Sequence, residues 1–405
     1  MKPIVRAGRM KPVHSDIRGP LFVEAMKRQK QGIDILKLNT GNPATFGFGL
    51  PDSIKNALME HMQDGVGYCD FKGMPQARQA ICDYETSKGI KGITPDDVFI
   101  GNGVSEVVSF ALTPLLNDGD EVLVPSPSYS LWGNSIYLEG GKPVFYTCDE
   151  KANWYPDIKD IRSKITDKTK AIVIINPNNP TGVLYPKELL LEIIQIARES
   201  GLLIFADEIY DRLVMDGKQH ISLASLTEDV PVITLNGLSK SHCLCGYRCG
   251  WMVISGPREL TEDYRQGIIQ LTSLRLCANT MAQIVIPTAL DDMETPASMV
   301  RPGGRIYEQR EATVRELEKI DGLSFIKNDA AFYVFPKLDV KKFNITNDKQ
   351  FAHDLLDATN ILLVPGSGFD WKDPDHFRIV MLPQADILSD AIRRMGTFLD
   401  GYKQK

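Results

Sequence analysis

Seven short apolar runs, separated by longer stretches of helical character, dominate the chain between residues 97 and 254. They cover residues 97–101, 121–125, 143–147, 171–175, 202–206, 232–236 and 250–254. The runs are rich in β-branched residues and do not alternate apolar with polar positions, which is typical of strands covered on both faces. The pattern therefore predicts an α/β domain whose seven-stranded, mostly parallel sheet is flanked by helices.

Helical spacing is clearest in two segments that join these runs. Residues 187–200 carry apolar side chains at helical spacing, and Gly201 follows as a stop signal directly before the next run. A second helix, predicted over residues 106–116, follows the sequence Gly-Asn-Gly-Val-Ser at 101–105. The helix at 187–200 is expected to cross over between neighbouring parallel strands.

The length of 405 residues is enough for two domains. After about residue 295 a Pro-Gly-Gly break at 302–304 precedes a charged helix at 308–319 and strands near 323–327, 331–336 and 377–382. The segment before Gly41 holds one helix and one strand, too little to fold alone. We therefore predict a large domain over residues 47–295 and a smaller α+β domain formed by residues 1–46 and 296–405.

Charge and hydropathy exclude two classes of partner. The formal net charge is −6 and no basic run exists, so nucleic acid is not expected to bind. The longest apolar stretches, 171–175 and 202–206, are far shorter than a membrane span, and no secretory signal precedes the first strand. Seven cysteines are an odd and modest number, which favours reduced thiols and a cytoplasmic protein without a membrane partner.

Polar side chains follow three of the predicted strands directly. Asn179 comes after the run 171–175, Asp207 and Tyr210 after 202–206, and Ser239 and Lys240 after 232–236. Because ligands of open α/β sheets bind at the carboxyl ends of the strands, we expect these side chains to converge on one crevice.

Each of these signals alone has an ordinary explanation. Ser-Lys occurs three times, ending at Lys88, Lys164 and Lys240, and most such lysines are solvated surface residues. Asp207 could cap a following helix, and the segment Asn-Pro-Thr-Gly at 179–182 could be a simple turn. Position distinguishes Lys240, since it alone follows a buried-type strand and precedes the Gly-Tyr-Arg loop that ends at Arg248.

Taken together, the motifs resemble the class I/II aminotransferases, the fold-type I enzymes that use pyridoxal 5'-phosphate (PLP). The resemblance covers nearly the whole chain and is carried by residues 16–20, 41–43, 174–182 and 236–240. Its nearest form is similar to the bacterial glutamate-pyruvate (alanine) aminotransferases. It implies the PLP-dependent transferase fold of type I, with a large sheet domain and a smaller α+β domain.

The resemblance also assigns the groups that act on the PLP ring. It implies that Lys240 forms the Schiff base with PLP and, once released, moves the proton of the substrate Cα. Asp207 would keep the ring nitrogen protonated, and Asn179 and Tyr210 would donate to the ring's phenolate oxygen. Tyr129 matches the aromatic residue that stacks on the ring face.

The phosphate group of PLP calls for backbone N–H groups at a helix start and a cation. Val104 and Ser105 match this cradle, Arg248 matches the phosphate-binding arginine, and Ser239 adds a hydroxyl. Tyr68 matches a tyrosine that reaches the phosphate of a neighbouring subunit, which implies a homodimer with shared active sites. A nucleotide-type glycine turn is the alternative, but residues 101–105 lack the third glycine of the dinucleotide motif, and no Walker sequence exists.

Substrate binding is assigned to a second set of residues. Every amino acid and 2-oxo acid carries an α-carboxylate, and Arg378, set in an apolar strand, fits a bidentate partner for it. The alternative is an arginine at a strand edge that pairs with a structural acid. Gly41 is expected beside the same carboxylate. Arg18 and Arg275 are candidates for the side-chain carboxylate of glutamate, and either could instead be structural.

The resemblance implies a ping-pong aminotransferase that converts L-alanine and 2-oxoglutarate to pyruvate and L-glutamate. Three other interpretations remain: a preference for aromatic or branched-chain amino acids, a PLP-dependent Cβ lyase, and a PLP-dependent regulator, for which the segment before Gly41 is too short. Cys243, Cys245 and Cys249 depart from the family pattern. They lack a fourth metal ligand apart from His242, so we expect no metal.

Overall fold

The computed structural model describes residues 2–405, which form sixteen α-helices and fifteen β-strands. The helices are α1 Pro20–Lys30, α2 Asp52–His61, α3 Pro75–Ser87, α4 Val104–Leu112, α5 Leu131–Leu138, α6 Ile158–Lys164, α7 Lys187–Ser200, α8 Leu238–Ser241, α9 Arg258–Arg275, α10 Thr280–Ile284, α11 Ile286–Asp291, α12 Glu294–Val300, α13 Arg305–Leu317, α14 Val340–Phe343, α15 Asp348–Thr359 and α16 Ala385–Leu399. The strands are β1 Leu36–Lys37, β2 Val98–Asn102, β3 Glu121–Ser126, β4 Lys142–Asp149, β5 Tyr155–Pro156, β6 Thr169–Ile175, β7 Leu203–Asp207, β8 Val232–Gly237, β9 Cys249–Ser255, β10 Leu323–Ser324, β11 Tyr333–Val334, β12 Lys337–Leu338, β13 Ile361–Leu362, β14 Val364–Pro365 and β15 Phe377–Val380. None of these helices is long and apolar enough to cross a membrane.

The large sheet has eight strands in the order β2-β9-β8-β7-β6-β3-β4-β5. All seven predicted strands are confirmed, as β2, β3, β4, β6, β7, β8 and β9. The eighth, β5, pairs antiparallel with β4 over two residues and is too short to leave a hydropathy signal. Strands β4, β3, β6, β7 and β8 run parallel to one another, whereas β9 is antiparallel to both β8 and β2.

Both faces of the sheet are buried, as the continuous hydrophobicity of the strands predicts. In β6, Ile172 and Ile174 pack into the core that contains the apolar face of α7, whereas Val173 and Ile175 pack into a separate core on the other face, with α4. Helix α7 has the predicted bounds and ends where Gly201 adopts a left-handed conformation (φ +65°), which glycine tolerates without strain. Helix α4 begins at Val104, two residues earlier than predicted, and ends at Leu112.

The strand register brings the chemistry-bearing residues to one edge. Ile175 of β6 is opposite Asp207 of β7, and Asp207 is opposite Leu235 of β8. The segments that follow these three strands therefore leave the sheet side by side. This alignment is what allows an amide, a carboxylate and an ammonium group from distant parts of the sequence to share one crevice.

Residues from the two ends of the chain pack together. Strand β1 pairs in parallel with β13 (Leu36 opposite Ile361), and Leu38 lies in the same core as α15 and α16. The N-terminal segment therefore packs against the C-terminal part of the chain, and the division into two domains stays a prediction. Strand β15 lies between β11 and β14 in a three-stranded antiparallel sheet, so Arg378 occupies a central strand.

Candidate active site

Lys240 lies on the short helix α8, directly after β8 leaves the sheet. Its partly buried Nζ donates a hydrogen bond to the backbone oxygen of Gly41 (2.8 Å) and lies 5.7 Å from the ring centroid of Phe332. Burial lowers the pKa of Lys240, but the nearby Tyr333, Cys245 and Tyr129 outweigh it and raise the pKa above the ordinary value. The lysine is therefore an ammonium group in the free crevice, held against the N-terminal segment of the chain.

Asp207 ends strand β7 in a buried position, 5% exposed. Its Oδ2 accepts a hydrogen bond from Trp132 Nε1 (3.1 Å), and its Oδ1 accepts a longer one from the backbone N–H of Ile209 (3.4 Å). Burial raises the pKa of Asp207 to about 6. Residues 209–212 form turns and no helix directly follows Asp207, so the helix-capping alternative is wrong.

Three buried polar groups connect Asp207's side of the crevice to the arginine. Tyr210 Oη lies 3.0 Å from Tyr333 Oη and 3.5 Å from Asn179 Nδ2. The other end of the same amide, Asn179 Oδ1, accepts a hydrogen bond from Arg378 Nη1 (2.9 Å). Burial raises the pKa of Tyr210 well above its ordinary range, so this phenol keeps its proton and can donate.

Arg378 is 1% exposed and has its guanidinium carbon 4.6 Å from the ring centroids of both Tyr333 and Phe369. Apart from Asn179, its bonded partner is the backbone oxygen of Asn39, and its buried Nε has no partner. No acidic side chain in residues 2–405 pairs with it, so the alternative of a structural ion pair at a strand edge is wrong. A buried guanidinium in this state calls for an anion from outside the chain.

A second group of residues forms a concave start to helix α4. Gly103 precedes it with φ +85°, and a Cβ atom there would overlap Arg248 Nη2. Val104 and Ser105 are the first two residues of the helix, so their backbone N–H groups have no intrahelical acceptor. Arg248 is exposed and is anchored by a hydrogen bond from Nη1 to the Cys245 carbonyl (2.9 Å). The arrangement offers backbone donors and a cation to one anion.

The remaining predicted site residues occupy different places. Tyr129 follows β3, is half-buried and is close enough to influence the pKa values of Lys240 and Arg378. Ser239 is half-buried at the start of α8, whereas Tyr68 is 84% exposed. Arg18 is exposed and lines a cavity of about 460 Å³.

Arg275 is tied to its own chain, although it is a candidate substrate cation by sequence. Its Nη1 pairs with Glu106 Oε2 (2.6 Å), and its Nη2 donates to the backbone oxygens of Phe71 and Ile100. These bonds fix the end of α9 against the start of α4. In this structure Arg275 therefore has the structural role that the sequence left open as the alternative to substrate binding.

The loop cysteines are separate thiols. Cys249 is buried in β9, Cys243 Sγ lies 3.9 Å from Met299 Sδ, and Cys245 Sγ lies 4.0 Å from Lys240 Nζ. Within residues 2–405 the ligand-type cluster that forms consists of Glu208, Asp211 and His220, not cysteines.

An ammonium group occupies that acidic cluster. Lys88 Nζ is 2.7 Å from Glu85, 2.9 Å from Glu208 and 3.2 Å from Asp211. Lys88 is therefore not a solvated surface residue. It pairs with two carboxylates of the segment that directly follows Asp207, those of Glu208 and Asp211.

Sequence reasoning missed several residues that touch the predicted ones. Trp132 and Tyr333 are the most important, followed by Asn39, Phe332 and Phe369. Only the segment 331–336 had a sequence signal, as an apolar strand that includes Phe332 and Tyr333. The contacts themselves join residues that are far apart in the chain, which no local pattern reveals.

The α/β fold thus brings a lysine, a buried carboxylate and a guanidinium without an acidic partner to one crevice. The model of the family "Aminotransferase class I and II" matches residues 33–392, and the chain belongs to this family of PLP-dependent enzymes. It is an aminotransferase, whose substrates are amino acids and 2-oxo acids.

Individual relatives are similar over the whole length. The glutamate-pyruvate aminotransferase AlaA of Haemophilus influenzae is 50% identical, with 100% of both chains covered. The crystal structure of an aminotransferase from Escherichia coli has 47% identity, a TM-score of 0.98 and complete coverage of both chains. The structure of an alanine aminotransferase from Pyrococcus furiosus has 40% identity and a TM-score of 0.92, and the match covers 98% of this chain and 100% of that one.

Proposed function

We propose that this enzyme transfers the amino group between L-alanine and 2-oxoglutarate, with pyruvate and L-glutamate as products, by a ping-pong mechanism. The observation that carries the proposal is Arg378, a buried guanidinium that lacks an acidic partner and has an unpartnered Nε. The side-chain amide of Asn179 connects it to Tyr210. The names of full-length relatives at 45–50% identity support alanine, pyruvate and glutamate as the substrates.

The residues of the crevice fit PLP. When bound, PLP supplies the electron sink that lets an amino acid lose its Cα proton. Lys240 is the residue to which we assign attachment and the transfer of that proton, and the Gly41 carbonyl holds its Nζ until then. Asp207, with Oδ1 engaged only by a long contact, would hold a proton at the ring nitrogen. Tyr210 and Asn179 would donate to the ring's phenolate oxygen, and Tyr129 would provide the aromatic residue for the ring face.

We assign the phosphate to the start of α4. Val104 and Ser105 provide backbone N–H groups, Arg248 the cation and Ser239 a hydroxyl. The close approach of Arg248 to Gly103 supports this assignment, because a side chain at 103 would fill the space between helix and guanidinium.

Arg18 is our candidate for the distal carboxylate of glutamate. Its side chain lines the cavity, and no described residue forms an ion pair or hydrogen bond with its guanidinium. Thr40 and Asn42, the neighbours of Gly41, line the same cavity. A cation beside the residues that flank Gly41 can bind a γ-carboxylate and leave the methyl group of alanine undisturbed.

We propose a homodimer in which Tyr68 reaches the phosphate of the partner subunit. The exposure of Tyr68 supports this, as does that of Met59, Met62 and Val66 in the same segment, each more than half exposed.

We further infer that the residues of 1–46 and 296–405 move as one domain against residues 47–295 and close over the substrate. The cytoplasmic location stays a prediction.

Separate half-reactions test the substrate pair. The purified protein is loaded with PLP, and L-alanine, L-glutamate, L-phenylalanine and L-valine are each added without an oxo acid while the visible cofactor band is followed. Loss of the band with alanine and glutamate, and its return with pyruvate or 2-oxoglutarate, is the expected result. A response to phenylalanine or valine alone would replace the substrate assignment. Release of ammonia and pyruvate without any acceptor would indicate a Cβ lyase.

Gly103→Ala is expected to weaken PLP binding by about tenfold or more. The backbone of the alanine must adopt a left-handed conformation that L-residues disfavour, which costs about 1–3 kcal/mol of free energy. Its Cβ atom must also displace the Arg248 side chain. The dissociation constant is measured by equilibrium dialysis. Gly246→Ala is the control, because Gly246 lies in the Arg248 loop with open space around it. Equal affinities of the two variants would remove Gly103 from the cradle.

Arg378→Lys is expected to raise the apparent KM for alanine and glutamate by a similar factor of about 10–100, because a point charge cannot reproduce two parallel N–H···O bonds. Steady-state kinetics with each amino acid measure the change. Arg258→Lys, on an exposed face of α9, should leave both values unaltered. An effect confined to one substrate would contradict the assignment to the α-carboxylate.

A further inference from the structure

Trp132 is a fully buried residue of helix α5 that no sequence motif singles out. Its ring packs on Phe205, with 5.3 Å between centroids, and its Nε1 donates a 3.1 Å hydrogen bond to Asp207 Oδ2. Phe205 and Asp207 are two positions apart in β7 and therefore face the same side of the sheet. The indole ring therefore packs against this face of β7, and its N–H group contacts the Asp207 carboxylate.

The contacts of Asp207 are unequal. Oδ2 has the short bond from Trp132, whereas Oδ1 has only the 3.4 Å contact with the backbone N–H of Ile209. One oxygen is thus fixed and the other keeps an acceptor position for a ligand. An indole N–H can donate but not accept, so it stabilises the ionised carboxylate and offers nothing to the proton of the neutral acid.

We propose that Trp132 is a positioning residue that holds the Asp207 carboxylate ionised and oriented, with Oδ1 directed to the protonated ring nitrogen of the cofactor. The inference rests on the proposed binding of PLP. It adds a residue that acts through Asp207 without touching the cofactor itself.

The acid–base properties of Asp207 agree with this role. Burial raises its pKa to about 6, and the hydrogen bond from Trp132 is the largest opposing effect. The charged neighbour on the same chain segment is Glu208, which is fixed by Lys88, Ser222 and the backbone N–H of Leu223. Tyr210 lies further along the same turn, and the charge of Asp207 contributes to the raised pKa of its phenol.

Trp132→Phe removes the donor and keeps an aromatic ring. We expect kcat to fall about 10- to 100-fold while the KM for alanine stays within about twofold, because Arg378 is untouched. The second readout is the PLP dissociation constant between about pH 5 and 9. Losing one hydrogen bond to a charged acceptor raises the pKa of the carboxyl, so the pH below which PLP affinity declines should move up by about one to two units.

Trp371→Phe is the matched control, because Trp371 also donates from a buried indole to a carboxylate, that of Asp375, away from the crevice. It should leave the pH curve of PLP affinity unchanged. β-(3-Benzothienyl)alanine in place of Trp132, which replaces N–H by sulfur at constant shape, covers the case in which phenylalanine disturbs folding. An unshifted pH curve with the benzothienyl side chain would overturn the role of Trp132. Failure of the unaltered protein to bind PLP would instead overturn the proposed function.

Discussion

Lys240→Ala should slow transamination by a factor of about 1,000 or more while the protein remains folded. The substitution removes the proposed attachment point of PLP and the base for the Cα proton, and no other lysine takes part in the crevice hydrogen bonds. The fold loses the hydrogen bond to Gly41, worth about 1 kcal/mol, and the 4.0 Å contact with Cys245 Sγ. Alanine-dependent glutamate formation measures activity, and thermal unfolding measures stability.

Lys91→Ala is the control for Lys240→Ala, because Lys91 lies on the surface with its side chain 70% exposed. It should retain full activity. We also expect Lys240→Ala to bind PLP without a covalent link, so that borohydride reduction fixes the cofactor to the unaltered protein, whereas denaturation still releases it from the reduced variant. Substantial remaining activity in the Lys240 variant would require another residue as the base.

Asp207→Asn should lower kcat/KM by about 100-fold or more, equivalent to about 2.7 kcal/mol of transition-state stabilisation. The amide has the shape of the carboxylate, and its oxygen can still accept the hydrogen bond from Trp132. It lacks the negative charge that keeps a proton on the ring nitrogen, so catalysis is lost while packing is retained. Steady-state kinetics with alanine and 2-oxoglutarate provide the measurement.

A second buried carboxylate, that of Asp97, provides a control that distinguishes a loss of catalysis from a loss of stability. Asp97 is 5% exposed and pairs with Arg265 at 2.5 Å, away from the crevice. Asp97→Asn leaves that arginine buried without its partner, so it should lower the melting temperature more than Asp207→Asn does. Its kcat should nevertheless remain close to that of the unaltered enzyme. The opposite ranking, with kcat reduced by Asp97→Asn and retained by Asp207→Asn, would exclude the proposed role of Asp207.

The large sheet could be predicted because its signal is local. A strand such as β6 is apolar along most of its length, and the residues that follow it are polar within a few positions. Arg378 was also predictable, since a charged residue within an apolar strand stands out in the sequence. The two-residue strand β5 left no such signal, because so short a segment has no periodicity.

The partners of the site residues could not be predicted for a different reason. Trp132 contacts Asp207 across 75 positions, and Arg378 contacts Asn39 across 339. Such contacts depend on how helices and strands pack in three dimensions. Lys88 illustrates the same limit, since a Ser-Lys pair at a helix end gives no hint of the carboxylates that other parts of the chain bring to it.

The side chain of Asn179 connects the arginine to the tyrosines through one planar amide. Its oxygen accepts from Arg378 and its nitrogen points to Tyr210, so turning the amide over would set a donor against the guanidinium. The direction of the guanidinium is therefore decided during folding, before any substrate arrives. A carboxylate that binds Arg378 therefore meets a preorganised guanidinium. Binding does not have to order the Arg378 side chain, so no conformational entropy of that side chain is lost and the affinity for the carboxylate is higher.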